Sequence, residues 1–370
     1  MRVERVRLAR VPLRLHRVLR TSAGTHDVRE AVIIEVTTDD GVVGWGENVA
    51  PAGSFYTGET AGNSMLAMIQ DLVPRLASAP HLDPASMTSN WWGVRGWHMA
   101  KHALSSAVWD AQCRSRGVSL AEVLGGSVRA VPVGVVVGIS DTIDEVLDES
   151  MRCVGEGYGR IKLKIAPGHD LDVVRAVRSS LPDEVDLHVD CNGAYTRDDV
   201  AHVAAVADEG VLLVEQPFAR DDLRSHADLA RRTNALVCLD ESVGSVEDLR
   251  RAVDLGACDS CNVKPSRVGG FADALALLHA CTESGLVAWV GGMLESGIGR
   301  AGALALASNP GFTLTPDLSA SDRYFVSDLT EEFVLEDGCL QVPEGPGIGR
   351  EPLARVLADA GTRIETLFVR

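Results

Sequence analysis

Short apolar strands alternate with helical segments over residues 129–322, which predicts an α/β protein built on a β/α barrel. A strand meander in the first 50 or so residues adds a smaller α+β domain beside it. A third observation is a regular beat of charge. Lys164, Asp190, Glu215, Asp240 and Lys264 end successive strand-like runs at intervals of 26, 25, 25 and 24 residues, one βα unit each time.

In chain order, the meander reads as strands at Val3–Leu13, Ala31–Thr38 and Val42–Glu47, the last two joined by the turn Asp39-Asp40-Gly41. Arg20 to His26 forms a small polar loop between the first two. Met65–Ala77 and His98–Arg116 carry apolar residues at helical spacing, and this part ends near Gly125-Gly126. Barrel strands follow near Val131–Ile139, Arg160–Ile165, Val185–Asp190, Leu212–Glu215, Leu236–Asp240, Asp259–Lys264, Val287–Val290 and Thr313–Thr315, with helices between them. A doubly wound sheet would show a Gly-rich dinucleotide turn near its start. The glycines of Gly345-Pro346-Gly347-Ile348-Gly349 come too late for one. After Asp317 the pattern stops, and Tyr324–Leu335 and Leu340–Val342 read as strands returning to the meander. The expected organisation is a capping domain at 1–128, a catalytic barrel at 129–322 and a returning segment at 323–370.

The 370 residues suffice for a large core. A net charge of −17 argues against nucleic acid as a partner. Met1 to Leu15 carries five arginines among apolar residues and alternates like a strand, unlike a signal peptide, and no apolar run approaches a membrane span. The expectation is a cytoplasmic protein. Its eight scattered cysteines read as buried thiols rather than a disulfide framework, and the lone Cys258-x-x-Cys261 lacks the second pair or histidine that a zinc site needs. His98 and His102 share a helix face without the H-E-x-x-H base, and beside Trp91, Trp92 and Trp97 they read as packed residues.

The strand Arg160-Ile161-Lys162-Leu163-Lys164-Ile165 puts both lysines on one face. Alone, it is a half-buried strand with solvated lysines, and any one of the acids downstream reads as a helix cap. Three acids at the same phase of consecutive strands are poorly explained by capping. Residues ending barrel strands meet at one mouth, where crowded carboxylates raise each other's pKa unless a cation sits among them. Three oxygen donors with open positions suit Mg²⁺, with Mn²⁺ as substitute. A small-molecule carboxylate would then lie between the flanking lysines, and a neutral lysine would remove the proton from its α-carbon to leave an enediolate. Lys162 is the neighbour expected to lower the pKa of Lys164 and to contact a substrate oxygen.

At these residues the chain resembles the enolase superfamily, in its muconate-lactonizing-enzyme-like branch. The matching stretches are Lys162-Leu163-Lys164, Val189-Asp190-Cys191-Asn192, Val214-Glu215-Gln216-Pro217, Leu239-Asp240-Glu241-Ser242 and Asn262-Val263-Lys264-Pro265. Within the branch it is most similar to the o-succinylbenzoate synthase / N-succinylamino acid racemase group, through stretches such as Arg20-Thr21-Ser22 and Gly291-Gly292-Met293-Leu294-Glu295-Ser296-Gly297. The resemblance implies a modified TIM-type (β/α)7β barrel with an α+β capping domain formed from both chain ends. It implies Mg²⁺ on Asp190, Glu215 and Asp240, and Lys164 and Lys264 as acid/base catalysts. Substrate contacts are expected from Lys162, Asn192, Arg267, Asp240, Gly292, Met293, Glu295 and Ser296, with Ser22 and Tyr56 on capping-domain loops. Arg267 matches a position associated with racemase-capable members. A homo-oligomer, dimer or octamer, and a place in menaquinone synthesis are further expectations. Val136 departs from the group's usual serine, which leaves the acyl or side-chain preference open. A dipeptide epimerase or cycloisomerase keeps the same fold. A non-catalytic metal-stabilised binding protein would have lost one of the five ionic positions, and all five are intact.

Overall fold

The computed structural model describes residues 1–370 apart from 22, 23, 55, 92 and 360, with only the backbone described at 17–21, 24–27 and 88–90. Ser22 and Trp92, singled out from the sequence, lie outside the described residues.

The strands are β1 (Val3–Thr21), β2 (Gly24–Thr38), β3 (Val43–Asn48), β4 (Ala130–Pro132), β5 (Val135–Val137), β6 (Arg160–Lys164), β7 (Asp186–Asp190), β8 (Leu213–Glu215), β9 (Leu236–Leu239), β10 (Ser260–Val263), β11 (Val287–Val290), β12 (Cys339–Gln341) and β13 (Arg363–Val369). An antiparallel sheet has the order β13-β1-β2-β3. Its period-two pattern serves two cores at once. Val6, Leu8, Val32 and Ile34 pack with Met68, Leu72, Leu104 and Val108, while Ala9, Val11, Leu13 and Ile33 join the larger core. Gly44 and Gly46 let β3 lie directly on the helix His98–Arg116, because a Cβ at either would strike the carbonyl of Ala107 or Ala103.

Strands β5 to β11 form a curled parallel sheet in strict chain order. The crossover helices include Ile143–Gly155, Leu171–Ser180, Val200–Ala207, Leu223–Ala230, Val246–Asp254 and Phe271–Glu283. Consecutive parallel neighbours align their carboxyl ends, so Lys164 pairs in register with Asp190, and Asp190 with Glu215.

Five expectations need correction. The loop expected at Arg20–His26 is mostly strand, since β1 runs to Thr21 and β2 begins at Gly24. The first barrel strand, expected over 131–139, is two. β4 pairs antiparallel with β12 and β5 runs parallel to β6, with a break at Gly134, whose Cβ position is filled by the Arg160 guanidinium. The eighth strand at 313–315 is not formed, so the sheet is a seven-stranded half-barrel. Pro316 interrupts the run, having no N–H to donate. The segment still lies between the edge strands: Thr313 and Asp317 donate to the carbonyls of Ala288 and Val290 at 3.1 Å each, and Gly134 donates to Pro316 at 2.9 Å. Tyr324–Leu335 is not a strand. A short helix at Ser321–Tyr324 and one bridge, Leu15 to Phe325, give way to a loop that the Asp328 carboxylate organises by accepting from Ser321 Oγ and from the amides of Gly297 and Leu329. The Leu340–Val342 region pairs with β4 rather than with the meander. The meander's added strand is β13, which the sequence reading passed over.

The packed reading of His102 holds: it meets Phe271 edge-on at 5.2 Å, and burial pushes its pKa down to about 3. All eight cysteines are free thiols. Among the described residues, no helix is long and apolar enough to cross a membrane.

Candidate active site

The carboxyl ends of the parallel strands open into a cavity of about 380 Å³, roofed by residues of β2 and of the segments after β3 and β11. Three lysines reach its wall, and each is bound to a carboxylate. Lys162 Nζ lies 3.0 Å from Asp190, 2.6 Å from Glu215 and 2.7 Å from Asp317. Lys164 Nζ donates to Asp190 and to the Asn192 side-chain oxygen, both at 2.7 Å. Lys264 Nζ donates to Asp240 at 2.7 Å and to the Tyr56 hydroxyl at 3.4 Å, above whose ring it sits. Tyr56 donates in turn to Asp240 at 2.8 Å, tying the capping side to the barrel.

The chain bends sharply just past these strand ends. Asn192 (φ 44°), Gln216 (φ 40°) and Leu294 (φ 59°) adopt left-handed backbone, which non-glycine residues occupy only where surroundings impose it. Asn192 accepts from Lys164 and donates to Glu241 at 2.9 Å. Gln216 donates to Ser242 at 2.7 Å and accepts from the Asp240 amide at 3.0 Å, fixing the end of β8 to that of β9.

Burial and charge oppose each other throughout. Burial disfavours the Lys162 ammonium, but Asp190, Asp317 and Glu215 more than compensate, and its pKa stands well above the ordinary value. Lys264 is likewise raised, because Asp240, Tyr56 and Glu215 together outweigh its burial. Asp190 is held low because Lys162 and Lys164 overcome its burial. Glu215 goes the other way: burial, then Asp190, pushes it up to about 7. Burial with Asp240 and Asp190 lifts Glu241 to about 8, and Glu241 Oε2 is buried without a hydrogen-bond partner. Burial is the first cause of both shifts. As the side chains stand, no three His, Cys, Asp or Glu groups among the described residues form a metal cage, since each of the three strand-end acids is committed to a lysine. The donor set nevertheless fits a hard cation: three oxygen-only ligands on adjacent strands, with an uncompensated carboxyl in their midst.

The remaining expected site residues divide. Gly292, Met293 and Glu295 line the cavity, and Met293 packs with Tyr56 on Val49, Ala50 and Met99. Arg267 is buried behind Asp240, ion-paired to it and donating to the Val243 carbonyl at 2.7 Å. Ser296 is not on the cavity wall. It caps the helix Gly297–Ala307 and donates its hydroxyl to Glu47 at 2.7 Å. The sequence reading missed Asp317, which bridges Lys162 to the fully buried Arg160. It also missed Glu241, and Asn262, which donates to Glu215 at 2.8 Å. Asp317 carried a signal: the beat continues from Lys264 by 26 residues to Val290 and by 27 more to Asp317.

Comparison with known proteins agrees with this geometry. Residues 3–125 match the family model for the mandelate racemase / muconate lactonizing enzyme N-terminal domain, and residues 145–356 match the enolase C-terminal domain-like model. The chain is 44% identical to an N-succinylamino acid racemase of Amycolatopsis sp, over 98% of each chain. It is 40% identical to an o-succinylbenzoate synthase of Geobacillus kaustophilus, over 100% of this chain and 98% of that one. A solved member of the enolase superfamily from Listeria innocua Clip11262 superposes with a TM-score of 0.94 at 35% identity, covering both chains fully.

Proposed function

The chain belongs to the enolase superfamily, and we propose that it removes the proton next to a substrate carboxylate, as an o-succinylbenzoate synthase, an N-succinylamino acid racemase, or both. One observation carries this reading. Lys164 and Lys264 line the same cavity from strands on either side of those bearing Asp190, Glu215 and Asp240. In the dehydration, Lys164 takes the proton and assists departure of hydroxide, while the cationic Lys264 stabilises the enediolate. In the racemisation, each lysine serves one face of the α-carbon, one removing a proton as the other returns one. Asp190, Glu215 and Asp240 would hold Mg²⁺ or Mn²⁺, which supplies electrostatic stabilisation of the charge left when the proton departs.

Lys162 is held among three acids, and its role in this reading is to keep positive charge beside the substrate carboxylate. Asn192 orients Lys164, and Arg267 and Tyr56 orient Asp240 and Lys264. The reading extends to a closed (β/α)7β barrel with residues 313–317 in the eighth place, and to a cytoplasmic enzyme, in keeping with its free thiols.

The test is α-proton exchange followed by NMR in deuterated buffer with Mg²⁺, using both enantiomers of an N-succinylamino acid, alongside a dehydration assay for o-succinylbenzoate. Exchange from both hands in the wild type, with Lys164→Ala and Lys264→Ala each losing a different hand, supports the two-base role. Absence of both exchange and dehydration overturns the proposal.

A further inference from the structure

Lys164 is bound on two sides, and that leaves its nitrogen one open direction. Nζ donates to Asp190 Oδ2 and to Asn192 Oδ1, both at 2.7 Å, while the side chain is 14% exposed and lines the cavity. A lysine nitrogen has three positions besides its bond to the chain. With two of them spent on the wall, the third is the one left for the cavity, whether it carries a proton or a lone pair.

The contact to Asn192 depends on which way that carboxamide is turned. One end accepts and the other donates, and the reversed amide would set its NH2 against the Lys164 nitrogen. Glu241 opposes the reversal. Its Oε1 accepts from Asn192 Nδ2 at 2.9 Å, which holds the donating end away from the lysine. Both partners are fixed in turn. Asn192 has left-handed backbone, with φ 44°, and its main-chain amide donates to Asp190 Oδ1 at 3.0 Å. Glu241 lies between Asp240 and Ser242, whose amides both donate to the Gln216 side-chain oxygen, at 3.0 and 3.2 Å. The contacts thus run from the residue after Asp240, past the end of β7, to the end of β6. Lys264 is held by other groups, Asp240 and Tyr56.

We propose that Glu241 is a positioning residue for Lys164: by fixing the Asn192 carboxamide it aims the third position of the amine at one face of the α-carbon. The inference rests on the α-proton chemistry above and deepens it, because it ties a residue that touches neither lysine to one hand of the substrate only.

The test is α-proton exchange in deuterated buffer with Mg²⁺, from each enantiomer of an N-succinylamino acid, in wild type, Glu241→Met, Glu241→Gln and Asn192→Gly. The hand served by Lys164 is the one silenced in Lys164→Ala. Glu241→Met offers no acceptor, and exchange from that hand should fall roughly 30-fold relative to the other, the scale of a misplaced catalytic group. Glu241→Gln keeps an acceptor oxygen without the charge and should stay within about 3-fold of wild type. Asn192→Gly, compatible with the left-handed backbone, should lose the same hand, and adding Glu241→Met to it should change little more. Equal losses from both hands, as a folding or metal defect would give, overturn the proposal. So do equal losses in Glu241→Gln and Glu241→Met, which would assign the effect to charge. If Glu241→Met does not fold, Glu241→Ala is read by the same ratio. Water exchange of the Asn192 carboxamide protons needs no turnover; asparagine-selective ¹⁵N NMR reads it, with the signal assigned by its loss in Asn192→Gly. Protection in wild type and Glu241→Gln, lost in Glu241→Met, without reaction of either substrate class supports the orienting contact while refuting the α-proton chemistry. Exchange from both hands with an unmoved ratio in Glu241→Met does the reverse.

Discussion

Two strands of this chain are nearly interchangeable as patterns and opposite in outcome. Arg5-Val6-Arg7-Leu8 in β1 and Arg160-Ile161-Lys162-Leu163-Lys164 in β6 both alternate cations with apolar residues. In β1 the cations stay at the surface: Arg5 and Arg7 are 40% and 37% exposed at the side chain and both pair with Glu35 across the sheet. In β6 they turn inward, where Lys162 is 3% and Lys164 14% exposed, among acids from β7, β8 and the segment after β11. Alternation says that two faces differ. Which face meets water depends on what the neighbouring strands carry, and in β6 the apolar face is the one that helices cover.

The comparison breaks most sharply by removing charge from each strand's network. The largest effect is expected at the inner lysines, where Lys164→Ala or Lys264→Ala should lower turnover by at least ~10³-fold, read as loss of α-proton exchange from one enantiomer in each variant. Next comes Asp317→Asn, which leaves Lys162 and Arg160 without a shared counter-charge. Chemical denaturation should show a loss of about 3–5 kcal/mol, as for a broken buried pair. A stability unchanged within 1 kcal/mol or so would mean the network is as solvent-screened as that of β1. Mg²⁺ should sharpen the contrast from the other side. At about 100 times its dissociation constant it should stabilise the fold by ~2.7 kcal/mol in thermal denaturation, and Glu215→Gln should abolish most of that gain. The smallest effect belongs to β1: Glu35→Gln should cost under ~1 kcal/mol, less still at high salt.

Much of the inner face was readable in the sequence because its logic is periodic. Lys164, Asp190, Glu215, Asp240 and Lys264 recur once per βα unit, and the structure aligns the ends of the strands that carry them. Asp317 follows the same beat but sits after Pro316, where no regular strand forms, so a strand-based search stops short of it. Ser296 belongs to the stretch Gly291–Gly297 that carries the family resemblance, and its neighbours Met293 and Glu295 do line the cavity. Its actual partner, Glu47, lies 249 residues away and no local pattern announces it. β13 escaped notice because it is largely exposed, so its pattern of burial is weak.

That last strand has a consequence for how the chain is made. β13 lies antiparallel against β1, with Arg5 opposite Val369 and Arg10 opposite Arg363. The small sheet thus joins residues at extreme separation in the sequence, the kind of contact that slows folding. During synthesis β1 waits with one edge open while the whole parallel sheet is being made. An open strand edge is a template for pairing with other chains. The arginines along β1, besides their pairing with Glu30 and Glu35, put repelling charge on that edge for as long as it waits.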